Sequence, residues 1–124
     1  MVNETRKILE DYDMKITATT VRVPVYRSHS ESVNVELEKD LDLAAIKDAI
    51  SKFPGVQMQD EPQNQIYPMP LYTSDQNDVY VGRLRRDESA DNSFNKWVVC
   101  EQIRKRKDLN TLQIDKKKKK NGWI

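Results

Sequence analysis

An α+β fold, with one mixed and largely antiparallel sheet covered by helices on a single face, is what this 124-residue sequence predicts. Three observations lead there. Several segments alternate apolar and polar residues with the two-residue period of a strand, one segment repeats apolar residues at helical spacing between them, and the chain has the length of a single domain. One core over residues 1–124 is therefore expected.

Asn3 is a suitable N-cap for a short first helix, with Glu4 in its first turn, Ile8 and Leu9 as its apolar positions and Asp11 to Asp13 as its end. Lys15 to Val25 reads as a strand. Thr17, Thr19, Val21, Val23 and Val25 would share one face, and Ile16, Ala18, Thr20, Arg22 and Pro24 the other. Pro24 lacks an amide hydrogen, so pairing should loosen there and leave Arg22 near a strand end. Ser32 to Glu38 alternates again, with Val33, Val35 and Leu37 on the buried side.

A helix should follow, started at Asp42, carried by Leu43, Ile46, Ile50 and Phe53, and stopped by Pro54-Gly55. Val56 to Gln59 is a short strand. Glu61 to Asp78, rich in proline, glutamine, asparagine and aspartate, reads as a long excursion of the functional or docked kind. Asp78 to Arg85 and Phe94 to Glu101 are the last strands, joined through a polar turn over 87–93. Ile103 to Lys120 reads as a closing helix.

Charge is unevenly placed. Residues 103–120 hold nine basic and two acidic side chains, a local +7 that leaves −6 on the rest of a chain whose total is +1. Five of the nine are the consecutive lysines Lys116 to Lys120. Nothing approaches the ~20 apolar residues a membrane helix needs, and no leader pattern opens the chain. With one cysteine, Cys100, no intrachain disulfide can form, and the expectation is a soluble cytoplasmic protein without a membrane partner. Cys100 sits in a core-strand pattern, which suits a buried and inert thiol.

The candidate chemistry lies in Val21-Arg22-Val23-Pro24-Val25-Tyr26-Arg27-Ser28-His29-Ser30-Glu31-Ser32. A guanidinium grips a carboxylate with two parallel hydrogen bonds, and the one histidine of the chain follows Arg22 by seven residues with a side chain suited to proton transfer near neutral pH. This order resembles the substrate-binding segment of the bacterial aspartate-semialdehyde dehydrogenases: arginine, apolar, proline, valine, two variable residues, a small residue, histidine, serine. Other segments resemble that family in order, including Asn3 to Ile8, Lys15 to Thr19, Tyr67-Pro68-Met69-Pro70, Asp78 to Asp87, Trp97-Val98-Val99 and Leu109 to Ile114. Together they correspond to roughly the C-terminal third of a family enzyme.

The resemblance implies that Arg22 holds the carboxylate of aspartate semialdehyde or aspartyl phosphate and that His29 is the acid/base. It also implies an NADPH-dependent reductive dephosphorylation of aspartyl phosphate in the intact enzyme. Asn110 would lie near the nicotinamide amide, with Gln113 one helical turn beyond. Many family members carry glycine where Ser28 stands. The family's nucleophile is a cysteine followed closely by asparagine, a pattern Cys100 does not meet, and no G-x-G-x-x-G turn occurs among three glycines. The nucleophile, the nucleotide-binding domain and a glutamate and lysine that assist binding all fall upstream in the family, so this chain is expected to bind no NADP and to be inactive alone. By the same resemblance the fold is that of the catalytic domain of glyceraldehyde-3-phosphate dehydrogenase, and the open sheet face makes a homodimer.

Arg106-Lys107-Asp108 replace a glycine-alanine-alanine run of the family, and the lysines replace apolar residues. Burying five ammonium groups is prohibitive, so the expectation is an excised, engineered dimerisation domain whose former interdomain surface has been recharged, with the lysines favourably placed at a helix C-terminus. Arg106 and Lys107 would likewise obstruct a nucleotide-binding domain supplied as a separate chain. A nucleic-acid or acidic-surface binding module is the competing reading of the basic segment. The absence of aromatic residues among the lysines and the acidic remainder of the chain argue against it.

Overall fold

The structure is a computed structural model that describes residues 2–39 and 42–101. The closing helix expected over Ile103 to Lys120, with Asn110, Gln113 and the lysine run, lies outside the described residues.

The chain begins with helix α1, Val2–Leu9. Asn3 lies inside its first turn, so the helix starts earlier than an Asn3 cap would allow. The C-terminal end falls where expected. Glu10 turns to φ 55°, and the Asp11 carboxylate accepts the amides of Asp13 and Met14 at 3.1 and 3.0 Å. Arg6 adds an Nε bond to the Met14 carbonyl at 3.1 Å.

The strand expected over Lys15 to Val25 does not form. The segment runs irregularly through solvent, with a tight Val25 amide to Val23 carbonyl turn at 2.9 Å and Val21, Val23 and Val25 exposed. Alternating β-branched residues favour an extended backbone, but a strand also needs a neighbour for its amides and carbonyls. The sheet of the described residues gives this segment none.

The sheet is built from β1 (His29–Glu36), β2 (Val56–Met58), β3 (Val79–Arg86) and β4 (Ser93–Cys100), in the order β1-β4-β3-β2. β4 pairs antiparallel with β1 and β3, while β2 pairs parallel with β3, which makes the sheet mixed and largely antiparallel as the sequence predicts. β1 starts three residues earlier than the Ser32 expected from alternation, and its first residue is His29. Helix α2, Leu43–Ser51, carries the chain from β1 at one sheet edge to β2 at the other. Asp42 precedes it in an extended conformation without a side-chain cap bond, and Gly55 at φ 77° completes the turn into β2. Phe53, expected on the apolar face of the helix, lies beyond its end and is exposed.

Alternation along β4 divides the core. Phe94 and Val98 point to one side, where Leu37, Leu43, Ile46 and Phe94 meet under α2, and Val81 of β3 is buried on that same side. Trp97 and Val99 point to the other side, and Val99 is completely buried.

The excursion crosses this second side in an ordered form. It contains a 3₁₀ turn at Pro62–Asn64, a bridge between Glu61 and Ile66, and the single-turn helix α3 at Pro70–Thr73. The Trp97 indole donates to the Pro68 carbonyl at 3.1 Å. Gly82 makes this approach possible: a methyl group there would sit 2.1 Å from the Gln59 carbonyl oxygen and 2.6 Å from Pro68 Cδ. Next to it β3 bulges between Gly82 and Arg85, with Arg83 at φ 52°, its amide on Asp60 Oδ1 at 2.9 Å and its guanidinium 4.9 Å from the Tyr67 ring centre.

Candidate functional site

Ser28 sets the position of the site. It stands immediately before β1 at φ 76°, in the left-handed region that favours glycine, and is 5% exposed. An L-residue pays roughly 1–2 kcal/mol for that conformation. Here the hydroxyl gains partners, lying 2.9 Å from Thr73 Oγ1 and 3.0 Å from the Cys100 carbonyl. Thr73 Oγ1 in turn donates to the Met69 carbonyl at 3.1 Å. Two hydroxyls supply two protons to three contacts, so with the Thr73 proton on Met69 the Ser28 proton serves either Thr73 or Cys100.

Further contacts tie the same three chain segments together. Arg27 pairs with Asp75 at 2.5 Å, and the Asp75 amide reaches Oε2 of the buried Glu101 at 3.4 Å. The start of β1, the end of α3 and the end of β4 are thus held as one unit, and His29 is the first residue of the strand that leaves it.

His29 stands opposite Cys100 across the β1–β4 ladder. Its Nε2 lies 2.8 Å from Glu31 Oε1, two residues along the strand and therefore on the same side. The two side chains are 36% and 42% exposed, so solvent screening limits the stabilisation from this pair to about 0–1 kcal/mol. Its consequence is the orientation of the imidazole rather than stability. Cys100 is half-buried and reduced at the end of β4, more accessible than the buried thiol expected from its strand pattern.

Arg22 lies in the exposed, unpaired segment rather than at a strand end, and among the described residues it has no hydrogen bond or ion pair. No bond joins it to His29, so the two residues that the motif couples are not assembled into one pocket by the described chain. Asn110 and Gln113 lie outside the described residues, and the sequence offers no glycine-rich phosphate cradle, so no step can be derived through a dinucleotide from these residues. Among the described residues no cluster of three His, Cys, Asp or Glu side chains could hold a metal ion, and no helix is long and apolar enough to cross a membrane. Sequence reasoning missed Glu31, Thr73 and Gly82. The two-residue period of β1 could have indicated Glu31, whereas Thr73 lies 45 residues from Ser28 and carried no local signal.

Residues 1–105 match the family described as semialdehyde dehydrogenase, dimerisation domain, and the chain belongs to that family. More particularly, it is 45% identical over its whole length to an aspartate-semialdehyde dehydrogenase of Synechocystis and 42% identical to that of Bacillus subtilis. It spans 37% and 36% of those two proteins. Among solved structures, aspartate semialdehyde dehydrogenase II of Vibrio cholerae complexed with ASA superposes with a TM-score of 0.85 at 32% identity. That match covers 94% of this chain and 34% of the other. The aspartate semialdehyde dehydrogenase of Francisella tularensis gives 0.66 at 27% identity over 90% of this chain and 34% of its own.

Proposed function

We propose that this chain is the substrate-carboxylate, proton-transfer and subunit-association part of an aspartate-semialdehyde dehydrogenase, folding as a single domain over residues 1–124. The observation that carries the reading is the Arg22 to Ser32 motif, placed within a chain that such enzymes match from end to end. Arg22 holds the substrate carboxylate through two parallel N–H bonds, and its position in an accessible segment leaves both donors available. His29 gives and takes the proton at the reacting carbon, from a strand end fixed by Ser28, Thr73 and Cys100. NADP, bound in the intact enzyme by a domain outside this chain, supplies the hydride chemistry.

The chain acts in a cytoplasmic enzyme and associates as a homodimer through the side of the sheet opposite α2, which the excursion covers rather than leaving open as the sequence suggested. There the excursion exposes Met69, Leu71 and Tyr72 to 47%, 73% and 68%. An apolar patch of this kind marks an interaction surface. Sedimentation should show a dimer whose mass is insensitive to dilution in the micromolar range, shifted to monomer by Leu71→Asp with Tyr72→Asp. A wild-type monomer would remove the association proposal.

A chimera tests the site. Residues 2–101 replace the matching segment of the Synechocystis relative, which keeps its own nucleophile and cofactor domain. Phosphate-dependent oxidation of aspartate semialdehyde by the chimera is expected, with kcat reduced about 10²–10⁴-fold by His29→Ala and KM raised by Arg22→Ala. Unchanged kinetics in both variants would refute the assignment.

A further inference from the structure

Residues 29 and 31 project to the same side of β1, and the 2.8 Å contact between them involves a specific ring atom, His29 Nε2, and Glu31 Oε1. An ionised carboxylate offers lone pairs and no hydrogen, so in a neutral imidazole bound this way Nε2 must carry the hydrogen and Nδ1 the lone pair. We propose that Glu31 is a positioning residue that locks His29 in the Nε2–H tautomer and leaves Nδ1 as the atom that takes up and returns the proton.

The inference rests on the acid/base role proposed above for His29. The proton balance is simple. Nδ1 accepts a proton from the reacting group to give an imidazolium whose Nε2–H stays on Glu31, and the same proton leaves from Nδ1 in the reverse sense. Other titratable or charged groups near this end of the sheet are Cys100, opposite His29 on β4, the Arg27–Asp75 ion pair that precedes β1, and the buried Glu101. Glu31 is the residue bonded to a ring nitrogen. A pair this exposed contributes little to stability, so its removal should change the ring's state and not the fold.

A single histidine makes the test unambiguous. The full 124-residue chain, labelled with ¹⁵N-histidine, gives one imidazole spectrum in long-range ¹H–¹⁵N correlation at a pH where the ring is neutral. The expected result is a pyrrole-type Nε2, a pyridine-type Nδ1 and a directly visible Nε2–H proton protected from solvent exchange. An unrestrained histidine already favours Nε2–H, so the change on substitution is decisive. Glu31→Ala should abolish the protected Nε2–H signal. Glu31→Gln, which can donate as well as accept, should admit both tautomers.

Dispersed β1 and β4 amide signals provide the folding control, and Glu31→Gln decides the matter if Glu31→Ala does not fold. A pyridine-type Nε2 in the wild-type chain, or variant ring spectra identical to the wild type, would overturn the proposal. The first result leaves the acid/base reading standing with Nε2 as the working atom, and the second leaves it standing with Nδ1 as the working atom and no part for Glu31. Conversely, a chimera that tolerates His29→Ala removes the acid/base reading without touching the tautomer.

Discussion

Replacing Gly82 with alanine tests whether the excursion is seated on the sheet as described. The added methyl would lie 2.1 Å from the Gln59 carbonyl oxygen and 2.6 Å from Pro68 Cδ, both well inside van der Waals contact at roughly 3.3 Å or more. Neither neighbour is a flexible side-chain tip. Gln59 is anchored by its amide to the Val81 carbonyl at 2.8 Å, and Pro68 by its carbonyl to the Trp97 indole at 3.1 Å. Relieving the overlap requires about 1 Å of backbone displacement, which strains both bonds and opens the layer over the fully buried Val99.

Overpacking of this kind costs about 1–3 kcal/mol or more, against roughly 0.5–1 kcal/mol gained by replacing glycine in a strand. A net loss of about 2 kcal/mol is expected. For a domain of this size that lowers Tm by roughly 6–12 °C. Calorimetry of the purified 124-residue chain measures it, and the near-ultraviolet signal of Trp97 should change along with Tm. A Gly82→Ala protein that melts with the wild type would mean that the excursion does not lie against β3, and the account of the second side of the sheet would fail.

At Ser28 the order of two variants separates backbone strain from hydrogen bonding. Ser28→Ala keeps φ 76° and loses the hydroxyl's contacts, and is expected to destabilise by about 1–2 kcal/mol. Ser28→Gly loses the same contacts but relieves the conformation, and should stay within about 1 kcal/mol of wild type in urea unfolding. Alanine proving as stable as glycine would exclude the left-handed geometry. Asp87 provides a pH prediction. Its carboxylate accepts the hydroxyl and amide of Ser89 at 2.6 and 3.0 Å and an amide proton of Asn34 at 2.7 Å, which hold its pKa below the ordinary aspartate value. A group whose folded pKa is lowered stabilises above its unfolded pKa, and the contribution disappears as the pH falls through the folded value. Ser89→Ala should therefore raise the Asp87 titration midpoint followed by carboxyl ¹³C shifts and flatten the acid limb of the stability curve. An unmoved midpoint would show that the 87–92 turn is held otherwise.

The sequence by itself determined the elements whose evidence is local. The alternation of Val33 and Val35, of Val79 and Val81 and of the Phe94 to Cys100 run encodes strands, and Leu43, Ile46 and Ile50 encode the α2 face, because neighbours one to four residues apart decide which backbone conformation buries apolar atoms. The order arginine, proline, histidine, serine likewise marked Arg22 and His29 as candidates. Tertiary structure decided what depends on distant partners. Lys15 to Val25 has strand composition and no strand among the described residues, since pairing requires another segment's carbonyls and amides. The region after Glu61 became an ordered cover because Trp97 binds Pro68 and Gly82 admits it. His29 acquired a fixed place because Ser28 meets Thr73 and Cys100, 45 and 72 residues away, through contacts that no local periodicity encodes.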